Sequence, residues 1–188
     1  MLLKGKTFLF LGSSVTYGFA SGGVSFAECM AEAAGLRCVK EAVSGTTLAD
    51  VEDASYVARL KRVDKTLAVD LCICQLSTND AAKGVPVDKI EEGLRFIAAY
   101  VDRVFGCPLV FYTSPYFESA AYAEMVKLLY AVQKDCGFFI LDLYRDADIN
   151  TAIESDRARF MADPIHPTLA GYQECWTPKF LDFCKRLP

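Results

Sequence analysis

The sequence has 188 residues, a net charge of -4 and 53% hydrophobic residues. This size and apolar content predict one folded domain over residues 1–188 rather than a disordered chain. Nucleic-acid binding is not expected, because no basic cluster stands out against the acidic balance. No stretch reaches the roughly 20 apolar residues of a membrane span, so stable membrane insertion is not expected either.

The N-terminus lacks the features of a signal peptide, because residues 1–6 precede only a short apolar run with no cleavage site. We therefore expect a cytoplasmic protein whose eight cysteines are reduced and mostly buried as small hydrophobes. The single histidine leaves too few ligands for a zinc site. No metal or other cofactor is expected.

Five apolar runs predict β-strands, each ending at a glycine or a polar residue. They are residues 6–12, 37–43, 67–76, 107–113 and 138–143. The third run is nearly continuous in apolar residues, which is typical of a strand covered on both faces.

Helical segments are predicted between these strands. One runs from Ser25 to Ala34 with Gly35 as its C-cap, and a second is capped by Thr46 or Thr47 and continues to about Val63. The clearest helix places apolar residues on one face, and Asp88 with Glu91 fits a variant capping box at its start. Its apolar residues are Ile90, Leu94, Ile97, Val101 and Val104, and Gly106 closes it.

A further helix is predicted from about Ser119 to Lys134, and residues 144–162 are expected to be irregular or briefly helical. The chain then ends in a helix that Pro178 should kink or break. The predicted buried stripe of this last helix is Leu169, Tyr172, Trp176, Phe180, Phe183 and Leu187.

The regular alternation of strands and helices predicts an α/β fold with a five-stranded parallel sheet and helices on both faces. The turns that follow the first three strands contain Ser14, Gly45 and Asn79. Because the carboxyl ends of parallel strands meet at one edge, these residues can converge there. His166 can reach the same edge from a loop, with Asp163 three residues before it.

These residue types permit acyl transfer. A serine hydroxyl becomes a good nucleophile when a base accepts its proton, and His166 is the available imidazole. Asp163 can orient that ring and stabilise its charged form. Candidate donors for the oxyanion are the backbone N–H groups of Ser14 and Gly45 and the side-chain amide of Asn79.

Each residue also has a purely structural alternative. A lone histidine is more often a capping or core residue, an Asn-Asp pair favours an Asx turn, and Gly45 can simply supply a positive φ. Asp80 is expected to bond the backbone of its own turn. Ser13 competes with Ser14 for the role of nucleophile. Three aromatic residues could line an acyl pocket, although such residues are more often core, namely Tyr17, Tyr116 and Phe117.

The chain resembles the SGNH (GDSL-type) esterases and lipases over nearly its full length. Residues 12–18 resemble the first block, Gly-Asp-Ser followed by Thr and Gly, and 43–47 the second. Residues 77–80 are similar to the third block, Gly-x-Asn-Asp, and 163–167 to the last, Asp-x-x-His.

The resemblance implies a flavodoxin-like three-layer α/β/α sandwich. It also assigns roles, with Ser14 as nucleophile, Asp163 and His166 as acid and base, and Gly45 and Asn79 completing the oxyanion hole. Ser13 replaces the usual Asp, which could weaken the hydrogen bonding around the nucleophile. Ser77 replaces the usual Gly, and its side chain could narrow the pocket.

The sequence therefore predicts a serine esterase that acts on a small-molecule ester with a small or short-chain acyl group, because no long insertion or lid is evident. An O-acetylated carbohydrate is one candidate substrate. The alternatives are a lysophospholipase or thioesterase type of acylhydrolase and a non-catalytic flavodoxin-like binding module. The oligomeric state stays open.

Overall fold

The computed structural model describes residues 2–188, which contain a five-stranded parallel sheet with helices on both faces. The strands are β1 (Thr7–Gly12), β2 (Arg37–Ala42), β3 (Leu71–Gln75), β4 (Leu109–Tyr112) and β5 (Phe139–Leu141). Their order, β2-β1-β3-β4-β5, is the flavodoxin-like one, so the predicted fold class is confirmed. The order reverses between β1 and β3, which is where such sheets open a crevice for a ligand.

Helices of very different length connect the strands. The α-helices are α1 (Ser14–Tyr17), α2 (Phe26–Ala34), α3 (Tyr56–Leu60), α4 (Thr78–Lys83), α5 (Val87–Phe105), α6 (Ala120–Cys136), α7 (Ala147–Ser155), α8 (Arg157–Phe160) and α9 (Thr177–Arg186). A 3₁₀ turn (Phe19–Ser21) follows α1, and a π-helical segment (Gly171–Trp176) precedes α9.

The alternation of side chains along each strand builds two separate cores. In β1, Phe8 and Phe10 face the layer that contains α2 and α9, while Leu9 and Leu11 face the layer that contains α5 and α6. A strand sends successive side chains to opposite faces, so a strand that is apolar at every position must be covered on both sides. This explains the nearly continuous apolar runs in the sequence.

The cysteines follow the same rule. Cys72 and Cys74 of β3 lie on one face, fully buried in the core beside α5, and burial raises the pKa of both thiols. All eight cysteines, which lie within the described residues, are free thiols.

The helix predicted from Thr46 or Thr47 to Val63 is largely wrong. Residues 48–54 form turns, and only Tyr56–Leu60 is helical, with Ser55 as its N-cap. The backbone N–H groups at the start of this segment donate to carboxylates. Glu52 accepts from Thr47, and Asp80 accepts from Leu48 and Ala49. Tyr56 N also donates to Thr47 O, so this segment closes into a loop, and the helix begins only after the Ser55 N-cap.

The capping box predicted at Asp88 and Glu91 is also wrong. The helix α5 begins at Val87 after Pro86, without a side-chain cap. Glu91 instead pairs with Arg95 one turn further along, at 2.8 Å. Residues 144–162, expected to be irregular or briefly helical, contain the two short helices α7 and α8.

The last helix is not broken at Pro178. Its π-helical segment ends two residues before this proline, which lies in the first turn of α9. Proline cannot donate an intrahelical hydrogen bond, and the wider π turn accommodates it at that point. Tyr172, Trp176 and Phe180 of the predicted stripe are fully buried, whereas Leu169 is exposed.

Candidate active site

The candidate site begins where β1 meets α1. Gly12 ends the strand, and a side chain there would overlap Thr16, since a Cβ would lie 1.8 Å from its Oγ1. Glycine therefore lets the first turn of α1 close tightly on the strand end. Ser14 is the first residue of α1, so its backbone N–H has no partner within the helix.

A buried hydrogen-bond network fixes this turn. The Oε1 atom of Gln75, at the end of β3, accepts from Ser13 N (3.0 Å), Ser13 Oγ (3.3 Å) and Thr16 Oγ1 (3.0 Å). Thr16 Oγ1 also shares a 2.7 Å hydrogen bond with the hydroxyl of Tyr112 in β4. Ser13 was expected to weaken the bonding around the nucleophile, yet both its backbone and its hydroxyl donate to Gln75.

The structure brings Ser14, His166 and Asp163 into one chain of hydrogen bonds. Ser14 Oγ lies 2.8 Å from His166 Nε2, across 152 positions of sequence. His166 Nδ1 lies 2.7 Å from Asp163 Oδ2. A carboxylate acceptor holds the ring proton on Nδ1, which leaves the lone pair of Nε2 to accept from the serine hydroxyl. Ser13, the other candidate, has no contact with the imidazole.

Asp163 is held by its own loop. Its second oxygen, Oδ1, accepts from the backbone N–H groups of Ile165 (2.7 Å) and His166 (2.8 Å). Partial burial acts to raise the pKa of this carboxyl, but the hydrogen bonds from His166 and Ile165 outweigh it and lower the pKa below 3.8. The carboxylate therefore remains ionised at neutral pH and stabilises a positive charge on the ring.

The predicted oxyanion donors lie in the same pocket. Gly45 adopts φ = 79°, which a side chain would strain, and a Cβ there would meet nothing within 4 Å. The glycine is therefore needed for its backbone conformation rather than for space. Asn79 donates one amide hydrogen to Thr46 O (2.9 Å), and its second amide hydrogen is available to another acceptor.

One expectation about the turn after β3 is wrong, and a second is incomplete. The Ser77 side chain does not narrow the pocket, because it is buried and caps α4 by accepting from the N–H groups of Asn79 and Asp80. Asp80 bonds beyond its own turn as well as within it, where its own N–H and the Ser77 hydroxyl act to lower the pKa of its carboxyl. Its carboxylate accepts from Leu48 N (2.7 Å) and Ala49 N (3.0 Å), although burial raises its pKa above 3.8.

A pocket of about 540 Å³ opens over Ser14 and His166. Gly45 and Asn79 line it as well, so four of the five predicted site residues border one cavity, with Asp163 behind the histidine. The wall is completed by Phe19, Ser44, Thr78, Ala81, Ala82, Phe117, Glu118, Ser119, Pro164 and Ile165.

Sequence reasoning missed part of this wall. Phe19 lies against the imidazole, with ring centroids 5.2 Å apart, although it is 59% exposed. The sequence signal that could have found it is a phenylalanine placed between Gly18 and Gly22, directly after the nucleophile turn. Of the three aromatic residues proposed for the pocket, Phe117 lines it, while Tyr17 and Tyr116 are exposed outside it.

The fold and this arrangement are those of an ester hydrolase of the SGNH type. The chain belongs to the GDSL-like Lipase/Acylhydrolase family, whose model matches residues 10–174. It is therefore a carboxylic ester hydrolase, and the alternative of a non-catalytic binding module is not favoured.

Solved structures share this fold at low sequence identity. A protein from Lactobacillus plantarum is 19% identical with a TM-score of 0.82, and the match covers 99% of this chain and 100% of that one. The psychrotrophic esterase EstA from Pseudoalteromonas sp. is 16% identical with a TM-score of 0.73, over 96% and 97% of the chains. An acetyl xylan esterase is 12% identical with a TM-score of 0.75, over 94% and 98%.

No protein with a curated description matches the sequence. Within residues 2–188, no three His, Cys, Asp or Glu side chains are grouped as metal ligands would be. None of the helices in that range combines the length and the apolar character that crossing a membrane requires.

Proposed function

We propose that the protein is a serine esterase that hydrolyses small or short-chain carboxylic esters through an acyl-enzyme intermediate. The observation that carries this proposal is the continuous hydrogen-bond chain from Ser14 Oγ through His166 to Asp163. A hydroxyl bonded to an oriented imidazole is the arrangement that activates a serine.

In the first half of the reaction, Ser14 Oγ attacks the ester carbonyl carbon as its proton passes to His166 Nε2. The carbonyl oxygen becomes an anion, which the N–H groups of Ser14 and Gly45 and the amide of Asn79 can stabilise. When this intermediate collapses, the alcohol leaves with the proton from His166, and the acyl group stays on Ser14.

In the second half, a water molecule attacks the acyl-enzyme and gives its proton to His166. The intermediate collapses again, the carboxylic acid leaves, and the proton returns to Ser14 Oγ. Asp163 remains ionised throughout, because its lowered pKa keeps it deprotonated.

The pocket wall supports a polar, compact substrate such as an O-acetylated carbohydrate. Phe19 and Phe117 offer aromatic surfaces, while Ser44, Glu118 and Ser119 offer hydrogen-bonding groups beside them. The connections that border the pocket are residues 43–55 and 113–119. One structural neighbour is itself an acetyl xylan esterase.

The test is the hydrolysis of p-nitrophenyl acetate by Ser14→Ala and by Ser13→Ala. We expect Ser14→Ala to lose at least about 10⁴-fold in kcat with its fold intact, since the residual rate would come from binding and the oxyanion donors alone. Ser13→Ala should retain most of the activity. Full activity of Ser14→Ala would contradict the proposal. If Ser14 is essential, activity on a panel of acetylated sugars would define the substrate.

A second candidate, an acylhydrolase acting on longer acyl chains, rests on one observation. A second cavity of about 540 Å³ lies between α4, α5 and α6 and shares Ala81 with the site pocket. Its wall is mostly apolar and includes Val85, Ile90 and Leu128. The leaving alcohol must lie beside His166 to be protonated. A long acyl chain would therefore extend away from the histidine, towards Ala81, which borders both cavities.

Chain-length preference separates the two candidates. Ala121→Trp would fill the second cavity from its exposed rim, and Ala120→Trp places the same bulk on α6 outside it. If long acyl chains are the substrates, Ala121→Trp alone should lose activity on p-nitrophenyl decanoate while keeping activity on the acetate. Preference of the wild-type protein for acetate, with equal behaviour of both variants, would leave the short-chain proposal as the better one.

A further inference from the structure

Arg59 is a buried cation that contacts the two turns carrying the candidate oxyanion donors, through Gly12 O and Thr46 Oγ1. It lies in α3, which follows the loop that contains Gly45, and the residue is only 6% exposed. The triad and the predicted oxyanion donors do not themselves require an arginine there. A buried guanidinium is also costly unless its donors are satisfied.

Four hydrogen bonds use four of the five N–H donors of Arg59, and two of these bonds reach the strand ends that carry the site. Nη2 donates to Gly12 O (2.7 Å), at the end of β1, and Nη1 donates to Glu41 O (2.5 Å), in β2. Nη2 also reaches Thr46 Oγ1 (3.3 Å), and Nε donates to Ala54 O (2.9 Å), which lies in the loop before α3.

The contact with Thr46 connects the guanidinium to both predicted donors. Thr46 directly follows Gly45, and its carbonyl oxygen accepts the amide hydrogen of Asn79. Its hydroxyl also donates to Val43 O (2.7 Å), which closes the turn around Gly45. Arg59 therefore holds the turn that presents the Gly45 N–H, and it fixes this turn relative to the β1 end that precedes Ser14.

The charge of Arg59 is not neutralised by an ion pair. Within residues 2–188, no carboxylate lies within 4 Å of its guanidinium, and its acceptors are three carbonyl oxygens and a hydroxyl. Arginine keeps its proton inside proteins. A fixed positive charge thus lies against the turns that carry the predicted oxyanion donors, at a buried position where the solvent screens it less than in bulk water.

We infer that Arg59 is a positioning residue for the esterase reaction. Its planar guanidinium group, a fork of N–H donors in fixed geometry, holds the Gly45 turn next to the Ser14 turn so that both N–H groups face the oxyanion. This inference rests on the proposed function. It predicts that losing the fork lowers kcat, because the donors act in the transition state, and leaves KM nearly unchanged.

The test compares Arg59→Lys with Arg62→Met. Arg62 also donates to a carbonyl oxygen of the same loop, that of Asp53, but it is exposed, so its removal is a matched control. Lysine keeps the charge and loses the fork. We expect Arg59→Lys to lower kcat on p-nitrophenyl acetate about tenfold with KM within twofold, while Arg62→Met matches the wild-type protein.

The rates should be expressed per active serine, titrated to completion with a fluorophosphonate, because a merely structural role would reduce the active fraction and leave kcat per site unchanged. Arg59→Met, which loses fork and charge, should fall further, by about 100-fold, if it folds. Wild-type kcat per titrated site in Arg59→Lys would overturn the positioning role. Failure of Ser14 to label at all would instead overturn the proposed function, so the two failures are distinguishable.

Discussion

The two halves of the candidate site are built in opposite ways. The Ser14 half is buried, and its hydrogen bonds join residues far apart in sequence, because Ser13 and Thr16 bond Gln75 in β3 and Thr16 also bonds Tyr112 in β4. The Asp163–His166 half lies in a loop, where the aspartate side chain is 45% exposed and its bonds reach only two or three residues. The nucleophile is therefore held by the whole sheet, and the base by its own turn.

This difference predicts what mutations will do in each half. Changes in the loop should affect chemistry with little effect on folding, whereas changes beneath Ser14 should affect both, because that network is part of the core.

The largest effect is expected for His166→Ala. The imidazole is the proton acceptor, so kcat should fall about 10⁴-fold or more. Because the side chain contributes few core contacts, the midpoint of thermal unfolding should stay within a few degrees of the wild-type value. Kinetics on p-nitrophenyl acetate and a thermal melt check both parts. A large loss of stability would show that the Asp163–His166 loop is coupled to the folding of the core.

Asn79→Ala should rank second. It removes one predicted oxyanion donor and the bond to Thr46 O, so kcat should fall by about 10²–10³ while KM changes little. Steady-state kinetics measure the split. If KM rises and kcat is unchanged, Asn79 binds the substrate in its ground state rather than the developing anion.

Gln75→Leu tests the buried half directly. It removes the acceptor of the Ser13 N–H and leaves the Thr16 hydroxyl with Tyr112 as its remaining partner, and a buried donor left unpaired costs about 1–3 kcal/mol. We expect the free energy of unfolding to fall by about 3 kcal/mol, together with a loss of activity as the Ser14 turn loosens. Urea unfolding measures this change. The control is Gln133→Leu, at a half-buried position of α6, whose free energy of unfolding should stay within about 0.5 kcal/mol of the wild-type value.

The smallest effect is a pH-dependent one at Asp163. The pKa of this carboxyl is lowered in the folded protein from 3.8, so the carboxylate adds stability above about pH 4. That contribution is lost as the pH falls through the lowered pKa. Asp163→Asn should therefore be less stable than the wild-type protein at pH 6, and the gap should shrink towards pH 3. An equal gap at both pH values in urea unfolding would contradict this account.

The same contrast explains what the sequence could predict. The Asp163–His166 contact spans three positions, with Pro164 inside the span and Pro167 directly after it, so its geometry is local and can be inferred from the spacing. The strand order and the convergence of Ser14, Gly45 and Asn79 follow from the alternation of strands and helices, which places all strand ends at one edge.

The missed features are those that depend on partners distant in sequence. The carboxylate of Asp80 accepts from Leu48 N and Ala49 N more than 30 positions away, and these bonds belong to the loop that replaces the helix predicted after Thr47. Gln75 looked like the end of an apolar strand, and its role under Ser14 appears only once β1 and β3 pair. A local pattern carries no signal for such contacts.

The most direct test of the account is covalent labelling by a fluorophosphonate, followed by intact-protein mass measurement and peptide mapping. The wild-type protein should gain one adduct, located on Ser14, at a rate that His166→Ala lowers strongly because the hydroxyl then lacks its base. Ser13→Ala should still label, and Ser14→Ala should not. An adduct on Ser13, or equal labelling of the Ser14→Ala variant, would contradict the assignment of Ser14 as the nucleophile.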